Sequence, residues 1–383
     1  MSEQGPLDTP GVLDTPGVLD TLGMWEATAA QPEQMAAALG AAEEVFGSIA
    51  PAAGGAFRAV AAFGLGTGRM AAAAAAALAA PDLPVPFWVG EGSAVPAFVG
   101  PATLVLAVSS SGGTAETLTA AEKAVERGAT VVTVGGQPDG ALATLATDAG
   151  LPWCPTPVTT GGVPASGGSG SIARAALGAT TVPLLVALAG AGLRPDSSTA
   201  VRAAAEGLAR RRDAFLAANG APGALARRLG RTIPLVYGSA GAAAVAAQWW
   251  KTQVNLNAKA PAFAAALPEL THDELAGWGQ GGDITRQTMS LVLLRHAGEG
   301  PRTGGLFAAV RAATDEVMAD IFEVQGEGGD ELSRFFDLTL LGTFVSLHLA
   351  AREGVDPGPV PAVEEAQGPA FLSPPRAAAS PLY

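Results

Sequence analysis

Between residues 59 and 136 the chain alternates short apolar runs with longer segments of helical pattern. Residues 59–66, "AVAAFGLG", form a run without polar interruption, and "TGRMAAAAAAALAA" behind it reads as a helix. "VPFWVG" (85–90), "TLVLAVS" (103–109) and "TVVTVGG" (130–136) read as further strands, with a helix over 114–128 closed by Gly128. Strands that are apolar at successive positions belong to sheets covered on both faces, as parallel sheets are. A second block repeats the scheme. Strands are expected at 232–241, 289–297 and 320–328, with a helix at 305–319 and a long closing helix at 329–353. Ahead of both blocks, an Ala-rich pattern from Met24 to Ala53, broken by Glu33, Glu43 and Glu44, suggests helix. The expected fold class is α/β, with two subdomains of similar design, each a parallel sheet flanked by helices.

The segments between and around these blocks have a different character. Residues 7–19 repeat "LDTPGV", too short and too rich in Pro and Gly for a solenoid, so 1–23 reads as a flexible leader or a loosely docked arm. "TTGGVPASGGSGS" (159–171) reads as a mobile Gly/Ser loop. The uncharged stretch 175–193 approaches membrane-spanning length. Pro183, its many small residues and the lack of a second span favour a buried helix bridging two domains. An Arg-rich amphipathic stretch follows from Arg202 to Arg212, and the Pro-rich tail from Asp356 onward is expected to be mostly irregular. The expected organisation is a leader (1–23), a first subdomain (24–158), a loop and bridging helix (159–200), a second subdomain (201–353) and a tail (354–383).

Composition narrows the function classes. The chain has 383 residues, 49% of them apolar, which is enough for two domains with substantial cores. A net charge of −13 with only 22 Lys and Arg argues against a nucleic-acid partner. Cys154 is the sole cysteine, so no internal disulfide forms, in keeping with a reducing compartment. The N-terminus shows neither a basic nor an apolar signal region, and a cytoplasmic protein without membrane association is expected.

The most informative loop is "VSSSGGTAET", where a strand ends at Val108 and Ser109, Ser110, Ser111, Gly112, Gly113 and Thr114 precede a helix. Hydroxyls beside two glycines let backbone N–H groups point inward at a helix N-terminus, where the helix dipole also attracts an anion. The plainer alternative is a strand-to-helix turn capped by Thr114. A cap needs one hydroxyl, whereas this loop offers four. The segment is neither a Walker loop nor the dinucleotide fingerprint, and no cofactor or metal motif is present.

This loop resembles the serine-rich phosphate loop of the SIS (sugar isomerase) fold, Ser-x-Ser-Gly-Asn-Thr-x-Glu-Thr. A second window resembles one family of that fold, the bifunctional phosphoglucose/phosphomannose isomerases. Their pattern is close to Trp-Lys-Thr-Gln-x-Asn-Glu-Asn-Ala-Lys-x-Pro-Ala-Phe, followed by Pro-Glu-Leu-x-His-Asn-Glu. Here Trp250 to Phe263 reads "WKTQVNLNAKAPAF", and Pro268 to Glu274 reads "PELTHDE". The resemblance covers about residues 24 to 367. It implies two SIS subdomains, a homodimer, and a sugar-phosphate site between subdomains completed by the partner subunit.

The resemblance also assigns roles. Ser109, Ser111 and Thr114 match the phosphate-anchoring hydroxyls, while Gly113 stands where Asn is usual. An earlier loop, usually Gly-x-Gly-Gly-Ser, reads "GLGTG" (64–68), so Thr67 replaces a glycine and offers a hydroxyl, and Gly68 replaces the serine. "ARAALG" brings Arg174 to the position of the arginine that stabilises the enediolate, with Ala173 in place of a proline; a helix-capping or surface cation is the alternative. His272 matches the histidine associated with ring opening. The glutamate that takes the C2 proton is replaced by Leu256, and where a lysine is usual near the C-terminus "EEAQGP" offers Gln367. Leucine cannot accept a proton, and loss of one general base costs a factor of about 10² to 10⁴ in rate. Glu269, Asp273 and Glu274 are nearby carboxylates. Two readings remain: a sugar-phosphate isomerase with substitute groups, or a catalytically reduced paralogue acting as a sensor or partner subunit. A SIS-type transcriptional regulator is set aside for want of a helix-turn-helix extension and a basic patch.

Overall fold

The computed structural model describes residues 19–371 apart from 53, 137, 157, 158, 161, 162, 165–171 and 173, with backbone alone at 159, 160, 163, 164 and 367–371. Most of the "LDTPGV" repeat and of the Gly/Ser loop therefore lies outside the described residues. Contacts divide the chain into two units, Glu33–Val201 with Pro359–Tyr383, and Met1–Pro32 with Arg202–Gly358.

The chain enters through α1 (Met24–Ala29) and α2 (Gln31–Val45). The first unit is built on β1 (Ala59–Phe63), β2 (Phe87–Gly90), β3 (Thr103–Val108), β4 (Thr130–Val134) and β5 (Trp153–Cys154). All pair in parallel, in the order β2-β1-β3-β4-β5. Every residue of β1 and β3 is buried, which accounts for their unbroken apolar runs. On one face Ala61, Phe63, Val105 and Ala107 pack with Ala120, Ala121 and Ala124 of α4 (Ala115–Glu126) and with Leu142 of α5 (Ala141–Ala149), in one apolar cluster. Alanine brings these helices close to the sheet. The helix α3 (Thr67–Ala79) packs against β1, β2 and β3.

Two expectations for the middle of the chain change. Within the stretch read as a loop, β6 (Thr159–Thr160) and β7 (Val163–Pro164) form a short antiparallel pair. The uncharged helix α6 (Leu177–Gly190) is buried from Leu177 to Leu188, and it packs on α3 and β4 inside the first unit rather than bridging two units. Burial on all sides is what removes polar periodicity from its sequence. Among the described residues no helix is long and apolar enough to cross a membrane.

After α7 (Ser198–Leu216) and α8 (Ala221–Leu229), the second unit lays down β8 (Ile233–Ser239), α9 (Ala242–Gln253), β9 (Phe263–Leu267), α10 (Glu274–Gly277) and α11 (Gly282–Thr288). It continues with β10 (Met289–His296), α12 (Pro301–Thr314), β11 (Asp320–Gly326) and α13 (Glu331–Arg352). The sheet is parallel, in the order β11-β10-β8-β9. Leu235, Tyr237, Leu291 and Leu293 form a core with Phe307 and Val310 of α12. Helices α9 and α13 pack together, and the Trp250 indole N–H donates to the Leu338 carbonyl at 2.7 Å. The tail, expected to be irregular, contains a helix, α14 (Pro361–Phe371).

The two sheets share one wiring. From β1 the chain crosses to β2 on one side, then returns to place β3 on the other side of β1. From β8 it crosses to β9, then returns to place β10 on the other side of β8. Each sheet thus has a topological switch point, between β1 and β3 and between β8 and β10. Ligands in open α/β sheets bind beyond the strand carboxyl ends at such points.

Candidate functional site

The register of β1 on β3 sets Phe63 opposite Ala107, so the loops that leave the two strands emerge together at the first switch point. One is "GLGTG", the other Ser109–Thr114. Their backbones are pressed close. A Cβ on Gly64 would lie 2.8 Å from the Val108 carbonyl oxygen, and one on Gly68 would lie 2.5 Å from it. Behind the second loop, a Cβ on Gly135 would meet the Ser109 oxygen at 2.3 Å and one on Gly136 the Gly112 Cα at 2.6 Å. Glycine at these points lets the serine loop seat against the exit of β4.

Within the loop, Ser109 is buried and its Oγ lies 2.9 Å from Thr114 Oγ1 and 3.4 Å from Ser111 Oγ. The same Oγ accepts the Thr114 N–H at 3.3 Å. Gly112 turns the chain at φ +74°, in the region that favours glycine. Thr114 does occupy the N-cap position of α4, but its side chain caps none of the first-turn N–H groups. The plain capped turn is therefore not what forms. The first turn of α4 presents its N–H groups beside three clustered hydroxyls, an arrangement suited to an anion. Glu116, also in that turn, has a carboxylate oxygen buried without a hydrogen-bond partner among the described residues.

The remaining candidates fall in several places. Thr67 is half-buried at the first position of α3, on the neighbouring loop. Arg174 belongs to the same unit and is 4% exposed, so it is not a surface cation. His272 belongs to the other unit, exposed at the end of a short 3₁₀ turn, Glu269–Thr271, its N–H donating to the Glu269 carbonyl at 2.8 Å. Gln367 lies on α14, where the side chain is outside the described residues.

Leu256 sits on a feature that periodicity did not announce. Helix α9 runs directly into a π-helical turn, Val254–Ala258, and such turns frequently mark functional sites. The "NLNAK" sequence makes its own supports. Asn257 Nδ2 donates to Gln253 Oε1 at 3.0 Å and to Ser346 Oγ at 2.9 Å. Asn255 Nδ2 donates to the Ala260 carbonyl at 2.8 Å. Lys259, at φ +53°, closes the turn and donates to the Leu256 carbonyl. Leu256 itself is only half-buried. These hydrogen bonds hold the turn that presents residue 256, and the leucine side chain there offers no proton acceptor. The nearby carboxylates are otherwise occupied or far into solvent. Glu274 accepts from the buried Tyr237 hydroxyl, whose pKa burial pushes up. Asp273 caps α10, and Glu269 is exposed.

Comparison with known proteins follows the same division. The bacterial phospho-glucose isomerase C-terminal SIS domain matches residues 219–368, and the SIS domain matches residues 63–151. A bifunctional phosphoglucose/phosphomannose isomerase of Thermoplasma acidophilum is 30% identical over 296 residues, 73% of this chain and 80% of that protein. Another of the same name, from Caldicellulosiruptor bescii, is 29% identical over 284 residues, again 73% and 80%. Among solved structures, tagatose-6-phosphate ketose/aldose isomerase from Escherichia coli matches with a TM-score of 0.63 at 15% identity, over 89% of this chain and 96% of that one. At that identity the likeness concerns the fold alone. The sequence matches go further, and by them the chain belongs to the bifunctional phosphoglucose/phosphomannose isomerase family of SIS-domain proteins.

Proposed function

We propose that this protein binds a sugar phosphate at the Ser109–Thr114 loop and isomerises it poorly, because Leu256 stands where the family's base belongs. The uncapped first turn of α4 beside Ser109, Ser111 and Thr114 is the observation that supports this most. Aldose–ketose isomerisation needs an anchored phosphate, an opened ring and a proton moved between C1 and C2 through an enediolate. The loop hydroxyls and N–H groups take the phosphate, with Thr67 beside them. Arg174 is the cation for the enediolate, and His272 from a second copy in a two-fold dimer assists ring opening. Proton transfer is the step left without its group. The half-buried leucine on an intact π-turn favours a second reading, in which binding is retained for sensing or for a partner subunit.

Thermal melts and a coupled isomerase assay with glucose 6-phosphate and mannose 6-phosphate test both halves. A ligand of the native state adds RT ln(1 + [L]/Kd), about 2.7 kcal/mol at one hundred times Kd. A saturable rise in Tm is expected, reduced in Ser111→Ala with Thr114→Ala, together with turnover near background. Absence of any rise at millimolar ligand removes the binding half. Robust wild-type turnover removes the role given to Leu256.

A further inference from the structure

The second switch point, between β8 and β10, carries polar chemistry that the reading above does not use. Ser239 ends β8 and His296 ends β10, the positions that correspond by wiring to the ends of β1 and β3. Beyond them lies a cavity of ≈ 380 Å³, lined by Ser239, His296, Arg302, Thr303, Glu331 and Arg334 among others. That volume is near the lower end of the range for small-molecule pockets, about 300–1,000 Å³. It suits a ligand of monosaccharide size.

The lining is built, not incidental. Ser239 is buried, and its Oγ lies 3.3 Å from His296 Nε2. His296 Nδ1 and Arg334 Nε are both buried without a hydrogen-bond partner among the described residues. Two uncapped helix starts open here. Gly241 precedes α9 and Gly300 precedes α12, and neither N-cap carries a side-chain hydrogen bond. Glu299 is engaged elsewhere: its carboxylate accepts from Arg295 Nε at 2.8 Å and from the His296 N–H at 3.1 Å. Arg302, exposed at the first turn of α12, forms no ion pair among the described residues. The groups left to meet a ligand are two guanidinium ions, one carboxylate (Glu331), a hydroxyl pair and an imidazole. Burial lowers the His296 pKa, so the ring is neutral near pH 7 and able to exchange hydrogen bonds with hydroxyls.

We propose that this cavity is a second ligand site, separate from the Ser109–Thr114 loop, for a hydroxylated phosphate ester of sugar-phosphate size. The phosphate faces Arg302, Thr303 and the start of α12, where helix dipole and guanidinium act together. The ester's hydroxyls meet Glu331, His296 and Ser239. Glu331 is the reason the ester is favoured over a bare anion: a carboxylate repels phosphate but accepts from a hydroxyl.

The test is calorimetric titration with glucose 6-phosphate and, separately, inorganic phosphate, on the Ser111→Ala, Thr114→Ala protein. One ester site per chain is expected to remain, with inorganic phosphate at least tenfold weaker. Adding Arg302→Glu, a change at an exposed side chain with no ion pair among the described residues, is expected to abolish that remaining binding without lowering the melting temperature of the ligand-free protein. Binding that survives Arg302→Glu, no residual binding in the double variant, or inorganic phosphate as tight as the ester would each overturn the proposal. In the wild type, loss of the loop site alone would leave this site's stoichiometry at one, so the two readings fail separately.

Discussion

A Cβ at position 68 would lie 2.5 Å from the Val108 carbonyl oxygen, whereas one at position 113 would meet nothing within 4 Å. Both glycines replace polar residues of the family pattern, for opposite physical reasons. Helix α3 starts so close to the end of β3 that residue 68 has no room for a side chain unless the backbone moves. Gly113 is free of that restriction, and an asparagine would fit. Leu256 is a third kind of departure, half-buried with partial solvent access on a π-helical turn. Leu256→Glu is therefore expected to fold with a stability change within about 1 kcal/mol, as for a partly exposed position. In the coupled assay it should raise turnover, by up to about 10² if the base is the main loss. A Leu256→Glu protein with a native melt and no gain in turnover would show that Gly68 and the altered Arg174 context had already disabled the chemistry.

At the scale of elements, the helix pair α9–α13 depends on one close approach. A Cβ on Gly342 would fall 2.3 Å from Trp250 Nε1, inside the indole that donates to Leu338. Gly342→Ala should destabilise by about 1–3 kcal/mol through overpacking. Gly305→Ala in α12, where a Cβ meets nothing within 4 Å, should be neutral or slightly stabilising. Equal melts for the two variants would contradict this packing. Such elements also show what sequence reveals. Strands β1, β3, β4, β8 and β10 were legible because double-faced burial leaves them mostly apolar, with small hydroxyl residues such as Thr133 and Ser290 among their buried positions. The π-turn was not, since one extra residue in the turn leaves helical composition unchanged. Strand β9 hid inside the polar motif window: "FAAAL" at an edge is half exposed and too weakly apolar to stand out. In α14, Pro361 at the first position signals a helix start, but the surrounding prolines obscured it. For the site, hydroxyl density marked the Ser109–Thr114 loop directly. The second cavity draws its residues from four separate segments, and only the sheet wiring brings them together.

At the scale of the whole molecule, α1 joins a unit whose remaining residues begin at Arg202. Trp25 is fully buried and stands edge-on to His348 with ring centroids 4.8 Å apart, and Arg212 Nη1 donates to the Ala29 carbonyl at 3.2 Å. His348 is enclosed by Trp25 and by Gly223 of α8, where a Cβ would lie 3.1 Å from its Cε1. Burial, aided by the nearby Arg227 charge, lowers its pKa to about 4. The sign follows from proton counts: between about pH 4 and 6.5 the unfolded chain binds a proton at this residue and the native chain does not. This contribution is complete above about pH 6.5 and is lost as the pH falls toward about 4. The loss amounts to about 2 kcal/mol by pH 5 and about 3 kcal/mol below pH 4. Carboxylates titrate in the same range, so the measurement is the difference between wild type and His348→Gln in urea unfolding from about pH 7 to 5. The variant should be less stable at neutral pH, because the ring contact with Trp25 is lost, yet its stability should fall less steeply with acid. Parallel slopes for the two proteins would mean that His348 is already accessible to protons in the native state, and that α1 does not seal it.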